Sequence, residues 1–218
     1  MIIITGASDG LGLQLAKLYR ATGKTVVNIS RRKSEYANIN VACDLLKGSE
    51  IKKAALEILL INEPLEALVN CAAVMSLQPL GQITEDELDR VMSTNVNAAI
   101  LLVSCLIEKI RKDGSDIVNV ASTVGHKGHV NEALYGASKW AMRGFSVNLQ
   151  TELKGTPSRV ISFCPGGFVS KIFEKATGVD NTADGSKWMK AEDVALALKQ
   201  TLDLPKNMEV SEIVINRK

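Results

Sequence analysis

The sequence of 218 residues is poor in aromatic residues, which make up 4% of it, and its charges nearly cancel to a formal net charge of +2. Scarce aromatic residues disfavour a surface on which bases stack. The balanced charge disfavours electrostatic binding to nucleic acid or to a membrane surface. The sequence also lacks a long uninterrupted apolar run and a charged segment before its first apolar stretch, so we expect neither a membrane span nor a signal peptide.

Residues that form disulfides or bind metals are also few. The chain has four cysteines and two histidines, and no two cysteines form a CxxC pair. Cysteines scattered through apolar stretches are typical of small buried residues in a reducing compartment, so we expect free thiols and a cytoplasmic location. The cysteines are Cys43, Cys71, Cys105 and Cys164. His126 and His129 have no further ligand residues clustered beside them in the sequence, so no metal site is predicted.

Short apolar runs rich in β-branched residues alternate with longer helical patterns along the chain. Strands that alternate with helices form βαβ units and a parallel sheet covered on both faces. The predicted strands are residues 2–4, 25–30, 39–42, 67–70, 117–121, 160–164 and 210–215, and the predicted helices are residues 11–21, 49–60, 85–111, 133–153 and 192–202. Thr84 and Glu87 have the spacing of a capping box at the third helix. The sequence predicts an α/β fold, with residues 1–218 forming one doubly wound domain around a seven-stranded, mainly parallel sheet.

A glycine-rich turn, TGASDGLG at residues 5–12, follows the first predicted strand. Gly6 permits a tight turn, Gly10 lets the backbone approach a pyrophosphate, and Gly12 allows a helix to pack closely on the sheet. The amino terminus of the following helix presents N–H groups and a positive dipole to a phosphate. This pattern predicts a dinucleotide site, and an ordinary strand–helix turn is the alternative.

The glycine turn is one of several motifs that occur in a fixed order. It has the form TGxxxGxG, and residues 68–73 (LVNCAA) stand where a second motif, NNAG, is expected. Ser122 precedes Tyr135 by thirteen positions, and Tyr135 and Lys139 form a YxxxK motif. In these motifs the chain resembles the short-chain dehydrogenase/reductase family over essentially its whole length. The resemblance implies a Rossmann-type fold and an NAD(P)-dependent oxidoreductase.

The candidate catalytic residues are Ser122, Tyr135, Lys139 and Asn95. Tyr135 and Lys139 project from the same face of one helix, and a nearby cation lowers the pKa of an acid. Bringing a tyrosine from a pKa near 10 to neutrality takes on the order of 4 kcal/mol, which we expect Lys139 and an oxidised nicotinamide to supply. Ser122, at the carboxyl end of a central strand, is placed to bond a substrate oxygen. The resemblance implies that Asn95 interrupts its helix and holds a water linked to the lysine.

Each of these residues also has a structural interpretation. Tyr135 can be an interface residue and Lys139 a solvated charge. Ser122 can serve only its turn, and Asn95 can be a polar group in helix packing. The ordered set of serine, tyrosine and lysine favours catalysis.

The end of the second strand indicates which nicotinamide cofactor binds. Ser30 and Arg31 stand where an acidic residue would bond the ribose 2′-OH of NAD, and arginine accepts a 2′-phosphate instead. We therefore expect NADP(H) to be favoured over NAD(H), although Asp9 occupies a position that is basic in many NADP-preferring relatives. Cys71 and Ala73 depart from the asparagine and glycine of NNAG. The predicted cofactor contacts are Gly6, Ser8, Asp9, Gly10, Leu11, Gly12, Ser30, Arg31, Arg32, Asp44, Leu45, Asn70, Ala72, Tyr135, Lys139, Pro165, Gly166, Phe168 and Ser170.

The sequence thus predicts an oxidoreductase that transfers a hydride between NADP(H) and a small-molecule carbonyl or secondary alcohol. The alternatives are a non-catalytic NADP(H)-binding sensor or scaffold, and a sugar-nucleotide epimerase or dehydratase. Residues 168–190 are expected to cover the substrate. His126, His129, Met75, Ser76 and Leu77 are weaker candidates for pocket residues.

The resemblance also implies self-association through two helices. Residues 98–103 and 140–147 carry apolar faces that would form a homodimer or homotetramer, and core packing explains those faces equally well.

Overall fold

The computed structural model describes residues 1–180 and 188–218, and its central feature is a seven-stranded sheet in which every neighbouring pair of strands is parallel. The strand order is β3-β2-β1-β4-β5-β6-β7. The order reverses between β1 and β4, which creates the crevice where open α/β sheets bind ligands. The strands are β1 Ile2–Thr5, β2 Val26–Ser30, β3 Ile39–Ala42, β4 Ala67–Asn70, β5 Asp116–Val120, β6 Val160–Pro165 and β7 Glu212–Ile215.

Helices cover both faces of the sheet, as predicted. The helices are α1 Gly10–Ala21, α2 Gly48–Leu59, α3 Glu85–Met92, α4 Ala98–Asp113, α5 Ala133–Glu152, α6 Lys171–Thr177 and α7 Ala191–Leu202. The prediction of one unbroken helix over residues 85–111 is wrong, because a π-helical turn at Ser93–Asn97 separates α3 from α4. Helix α6 was not predicted and lies inside the segment expected to cover the substrate.

The predicted capping box at Thr84 is half formed. The Thr84 hydroxyl accepts a hydrogen bond from the Glu87 N–H at 3.2 Å, which caps α3. The Glu87 carboxylate does not close the box, because it pairs with Arg90 instead.

The core consists of two apolar layers, one on each face of the sheet. In β1, Ile3 joins the layer that includes Leu106 of α4, whereas Ile2 and Ile4 join the layer that includes Leu15 of α1. All three isoleucines are buried, which explains why the strand reads as a continuous apolar run rather than an alternating one.

The helical stretch Glu85–Asp113 contains an 18-residue window with a mean hydropathy of 1.6, so it is long and apolar enough, by length and composition, to cross a membrane. Leu102, Leu106 and Ile110 of this helix are buried against the sheet. Core packing therefore accounts for its apolar character.

Candidate active site

The predicted cofactor residues gather at one edge of the sheet. Each follows a strand or ends one, and the carboxyl ends of parallel strands meet at the same edge. The groups are Gly6, Ser8, Asp9, Gly10, Leu11 and Gly12 after β1; Ser30, Arg31 and Arg32 at β2; Asp44 and Leu45 after β3; Asn70 and Ala72 at β4; and Pro165, Gly166, Phe168 and Ser170 at β6. The fold thus brings together residues that are far apart in sequence.

The glycine turn has the close approaches that its sequence predicts. Gly6 and Gly10 adopt left-handed φ angles of +73° and +51°. A Cβ on Gly12 would lie 2.5 Å from the Gly6 carbonyl oxygen, so only glycine lets α1 pack this closely. A Cβ on Gly6 would lie 3.1 Å from the Ala72 Cα, and a Cβ on Gly10 would lie 3.4 Å from the Ser170 Cβ. Gly6, Gly10 and Gly12 form a cradle of backbone atoms within the turn, which fits the approach of a pyrophosphate to the backbone.

The segments after β1 and β4 are joined by hydrogen bonds. The Thr5 hydroxyl accepts from the backbone N–H groups of Cys71 and Ala72, both at 3.0 Å. The Asn70 amide donates to the Asn119 side chain of β5 at 2.8 Å. Burial raises the pKa of the Cys71 thiol to about 12, with a smaller opposing effect of the nearby Lys139 charge. The departure from NNAG at Cys71 therefore places a neutral thiol in this segment.

Ser122 lies directly after β5 and caps a short 3-10 turn, Thr123–Gly125. Its hydroxyl accepts from the Val124 N–H at 3.2 Å and lies 3.4 Å from the Pro165 carbonyl. It also lies close enough to Tyr135 of α5 to lower the pKa of the tyrosine. The structure thus joins the serine and the tyrosine that the sequence places thirteen positions apart.

Lys139 is buried one helical turn after Tyr135. Its ammonium donates to the Val120 carbonyl at 3.0 Å and lies 5.5 Å from the centroid of the Tyr135 ring. Burial lowers the pKa of Lys139 to about 8, against the opposing influence of the thiols of Cys71 and Cys164.

The expected lowering of the Tyr135 pKa is not found in the structure. Burial raises the pKa of Tyr135 well above its usual value, and the negative charge of Glu132 raises it further. The nearby Ser122 hydroxyl acts in the opposite direction but does not outweigh them. Tyr135 is therefore a protonated tyrosine at neutral pH.

Asn95 lies in the π-helical turn, which confirms that the helix is interrupted there. Its side-chain oxygen accepts from the Val74 N–H at 2.8 Å, and its amide donates to the Val74 carbonyl at 2.9 Å and to the Ser138 hydroxyl at 3.0 Å. The Ser138 hydroxyl in turn donates to the Tyr135 carbonyl at 2.6 Å. The Asn95 side chain therefore links the segment after β4 to the helix that carries Tyr135.

The end of β2 carries a feature that sequence reasoning did not find. The Ser30 hydroxyl donates to the Arg32 carbonyl at 2.6 Å, and the Arg32 guanidinium reaches Asp9 at 3.2 Å. The Asp9 carboxylate also binds Lys175 of α6 at 2.8 Å. Asp44 caps its own turn, because its carboxylate accepts from the Leu46 N–H at 3.2 Å.

A second group of polar residues near the Ser122 turn was also missed. His126, Cys164 and Glu212, which are far apart in sequence, have potential ligand atoms within 4.8 Å of one another in the fold. The Arg143 guanidinium binds both carboxylate oxygens of Glu212 at 2.8 and 3.1 Å. The negative charge of Glu212 is therefore paired with arginine. Arg143 also donates to the Gly125 carbonyl at 2.7 Å and so ties the Ser122 turn to β7.

The segment expected to cover the substrate is only partly described. Phe168 and Met189 form an isolated parallel β-bridge, and the ring centroids of Phe173 and Trp188 lie 5.5 Å apart. Residues 181–187 lie outside the described residues. Among the weaker candidates, the Met75 carbonyl accepts from Arg90 at 3.1 Å and Ser76 is buried. The described contacts do not place Leu77 or His129 against the catalytic residues.

Comparison with known proteins agrees with this arrangement. Residues 1–179 match the short chain dehydrogenase family. A short chain dehydrogenase of Penicillium brasilianum is 34% identical over 199 residues, which cover 87% of this chain and 76% of that protein. Carbonyl reductase family member 4 of Danio rerio is 27% identical over 176 residues, which cover 76% of this chain and 74% of that protein.

Two solved structures show the same fold. A metagenomic short-chain oxidoreductase in complex with NADP has a TM-score of 0.82 at 23% identity, covering 100% of this chain and 97% of that chain. A 3-ketoacyl-(acyl-carrier-protein) reductase from Brucella melitensis in complex with NADH has a TM-score of 0.87 at 24% identity, covering 99% and 96%. By sequence and by fold, the chain belongs to the short chain dehydrogenase family.

Proposed function

We propose that the chain is an NADP(H)-dependent oxidoreductase that transfers a hydride between nicotinamide and a small-molecule carbonyl or secondary alcohol, with Tyr135 as general acid and base. The observation that carries this proposal is the buried set of Tyr135, Ser122 and Lys139, in which the Lys139 ammonium lies 5.5 Å from the centroid of the Tyr135 ring. A non-catalytic sensor would need only the cofactor-binding residues.

The three side chains divide the work at the substrate oxygen. Tyr135 donates its proton to this oxygen during reduction and recovers it during oxidation. The Ser122 hydroxyl hydrogen-bonds the same oxygen and stabilises the charge that develops on it. Lys139 adds a positive field beside the Tyr135 ring, which favours the tyrosinate during oxidation. Tyr135 is protonated at neutral pH, and this is the form that donates the proton during reduction.

The residues of the cradle suit a dinucleotide. The amino terminus of α1 would hold the pyrophosphate, and Asn70 and Ala72 would flank the cofactor at the switch point of the sheet. Arg31 and Arg32 would face a ribose 2′-phosphate, which is the basis for proposing NADP(H) over NAD(H). When bound, the dinucleotide supplies or accepts the hydride. NADP in one structural relative supports this preference, and NADH in another shows that the fold alone does not decide it.

Self-association and a cytoplasmic location belong to the same proposal. Residues 98–103 and 140–147 contribute core residues, but Ile100, Trp140 and Val147 of the same helices are 40%, 52% and 59% exposed. These apolar side chains support a homodimer or homotetramer. The proposed cytoplasmic location rests on the four free cysteines, because thiols stay reduced in that compartment.

A panel of ketones and aldehydes with NADPH or NADH tests the function. We expect NADPH to be oxidised with at least one carbonyl compound and to give a higher kcat/KM than NADH. Binding of NADPH without turnover of any carbonyl or alcohol would favour the sensor instead.

A further inference from the structure

Three charged side chains from distant parts of the chain meet at the mouth of the proposed cofactor site. Asp9 belongs to the glycine turn, Arg32 follows β2, and Lys175 belongs to α6. The Lys175 ammonium lies 2.8 Å, and the Arg32 guanidinium 3.2 Å, from the same Oδ2 atom of Asp9. The other Asp9 oxygen accepts from the Gly10 N–H at 2.9 Å and caps α1. The two cations therefore share one carboxylate oxygen.

The three residues come from segments that border the dinucleotide site. The glycine turn and the end of β2 form the walls of that site, and α6 approaches the same turn from the segment after β6. The contact between Ser170 and the Gly10 position shows that this segment packs against the turn. Lys175 is thus a cation contributed by the substrate-covering segment, 166 positions away from Asp9 in sequence.

The charges of this group favour binding of a further anion. One carboxylate and two cations leave a net charge of +1. Burial raises the pKa of Asp9, but the hydrogen bonds and charges of Lys175 and Arg32 outweigh it, so the carboxylate remains ionised at neutral pH. Arginine has five N–H donors and lysine three, so each has donors to spare beyond its bond to Asp9.

The two basic side chains can also turn toward a new partner. The side chains of Arg32 and Lys175 are 59% and 57% exposed, whereas that of Asp9 is 25% exposed. A phosphate monoester carries a charge of about −1.5 to −2 at neutral pH. It is therefore a stronger acceptor than a single carboxylate for two cations at once.

We propose that Lys175 is a further ligand of the cofactor's 2′-phosphate, beside Arg31 and Arg32, and that Asp9 competes with the phosphate for Arg32 and Lys175. This inference rests on the proposed NADP(H) function and assigns a phosphate ligand to the substrate-covering segment. Lys175 supplies the basic charge that the glycine turn itself lacks at Asp9. The Asp9–Lys175 bond also keeps α6 at the glycine turn before the cofactor arrives.

Binding of two adenine nucleotides, measured by calorimetry, isolates the 2′-phosphate from the rest of the cofactor. The probes are 2′,5′-ADP and 5′-AMP, which differ only in that phosphate. We expect Lys175→Met to weaken binding of 2′,5′-ADP by about threefold to tenfold, which corresponds to the loss of one exposed charge-assisted hydrogen bond. Binding of 5′-AMP should be unchanged. Lys171→Met is the matched control, because Lys171 lies on the same helix and forms no ion pair with any described residue.

Asp9→Asn tests the competition. Asparagine is as good a helix cap as aspartate, so the variant keeps the cap of α1 and removes only the charge. We expect tighter binding of 2′,5′-ADP and unchanged binding of 5′-AMP. Weaker or unchanged binding of 2′,5′-ADP would overturn the competition between Asp9 and the phosphate.

The outcomes separate this inference from the proposed function. If the parent protein binds 2′,5′-ADP no better than 5′-AMP, the proposed NADP(H) preference fails and the inference fails with it. In the other case the parent protein binds 2′,5′-ADP more tightly than 5′-AMP. If Lys175→Met then binds each nucleotide as tightly as Lys171→Met does, only the role of Lys175 is overturned.

Discussion

Replacing Gly12 with alanine tests whether the close packing of α1 on the glycine turn is required. The added Cβ would lie 2.5 Å from the Gly6 oxygen, 3.0 Å from the Gly6 carbonyl carbon and 3.2 Å from the Ala7 Cα. All three are backbone atoms, so no side chain can rotate away. Real Cβ contacts are essentially never shorter than 3.0 Å, so the helix and the Gly6 carbonyl must separate by about 0.5 Å.

The magnitude follows from two opposing effects. Overpacking of this kind costs about 1–3 kcal/mol. Alanine is favoured over glycine within a helix by up to about 1 kcal/mol, and by less in the first turn, where Gly12 lies. We expect a net loss of about 1–2 kcal/mol in the free energy of unfolding, which for a chain of this size lowers Tm by about 2–8 °C. Because the same turn forms the cradle, NADPH affinity should fall about tenfold.

Gly144→Ala is the matched control for this substitution. Gly144 lies within α5, its φ is not positive, and a Cβ there would meet nothing within 4 Å. The control should raise the free energy of unfolding by about 0.5–1 kcal/mol. Thermal unfolding of both variants is compared at one protein concentration, because Gly144 lies near the residues proposed for self-association. A Gly12→Ala variant as stable as the parent, with unchanged NADPH affinity, would refute the reasoning.

Two further predictions concern charge. Glu132→Gln removes a negative charge that raises the pKa of Tyr135, so the pH profile of kcat/KM for alcohol oxidation should move to lower pH. The control Glu152→Gln, at the far end of α5, should leave the pH profile unchanged. A shift of the Glu132→Gln profile to higher pH would contradict the assigned sign. Arg159→Met removes a buried guanidinium whose five N–H groups make six hydrogen-bond contacts, two of them to Asp116. Urea unfolding should show a loss of about 3–5 kcal/mol, against under about 1 kcal/mol for the exposed Arg111→Met, and equal losses would contradict a buried role.

The sequence predicts those parts of the fold that local patterns determine. The strand–turn–helix at residues 2–21 was predictable because the turn needs glycine at Gly6 and Gly10, and the structure has both in left-handed conformations. The spacing from Ser122 to Tyr135 and the YxxxK motif indicated the family, and residues 1–179 match the short chain dehydrogenase family. Strand ends differ by one or two residues from the prediction, as in β7, which begins at Glu212 rather than at residue 210.

The remaining features depend on tertiary contacts that a local pattern does not contain. The π-helical turn forms where the Asn95 side chain bonds Val74, a residue of another segment. The pKa of Tyr135 is set by burial, and the ion pair between Asp9 and Lys175 joins residues 166 positions apart. The sequence motifs therefore indicate which residues meet, but not their protonation or their additional partners.

The most direct measurement of the proposed mechanism is NADPH oxidation by Tyr135→Phe with a carbonyl compound that the parent protein reduces. Phenylalanine fills the buried site but has no proton to donate, so NADPH should bind with nearly the parent affinity while kcat falls by about 100-fold or more. If Tyr135→Phe reduces the same compound at the rate of the parent, Tyr135 is not the general acid and the mechanism is wrong.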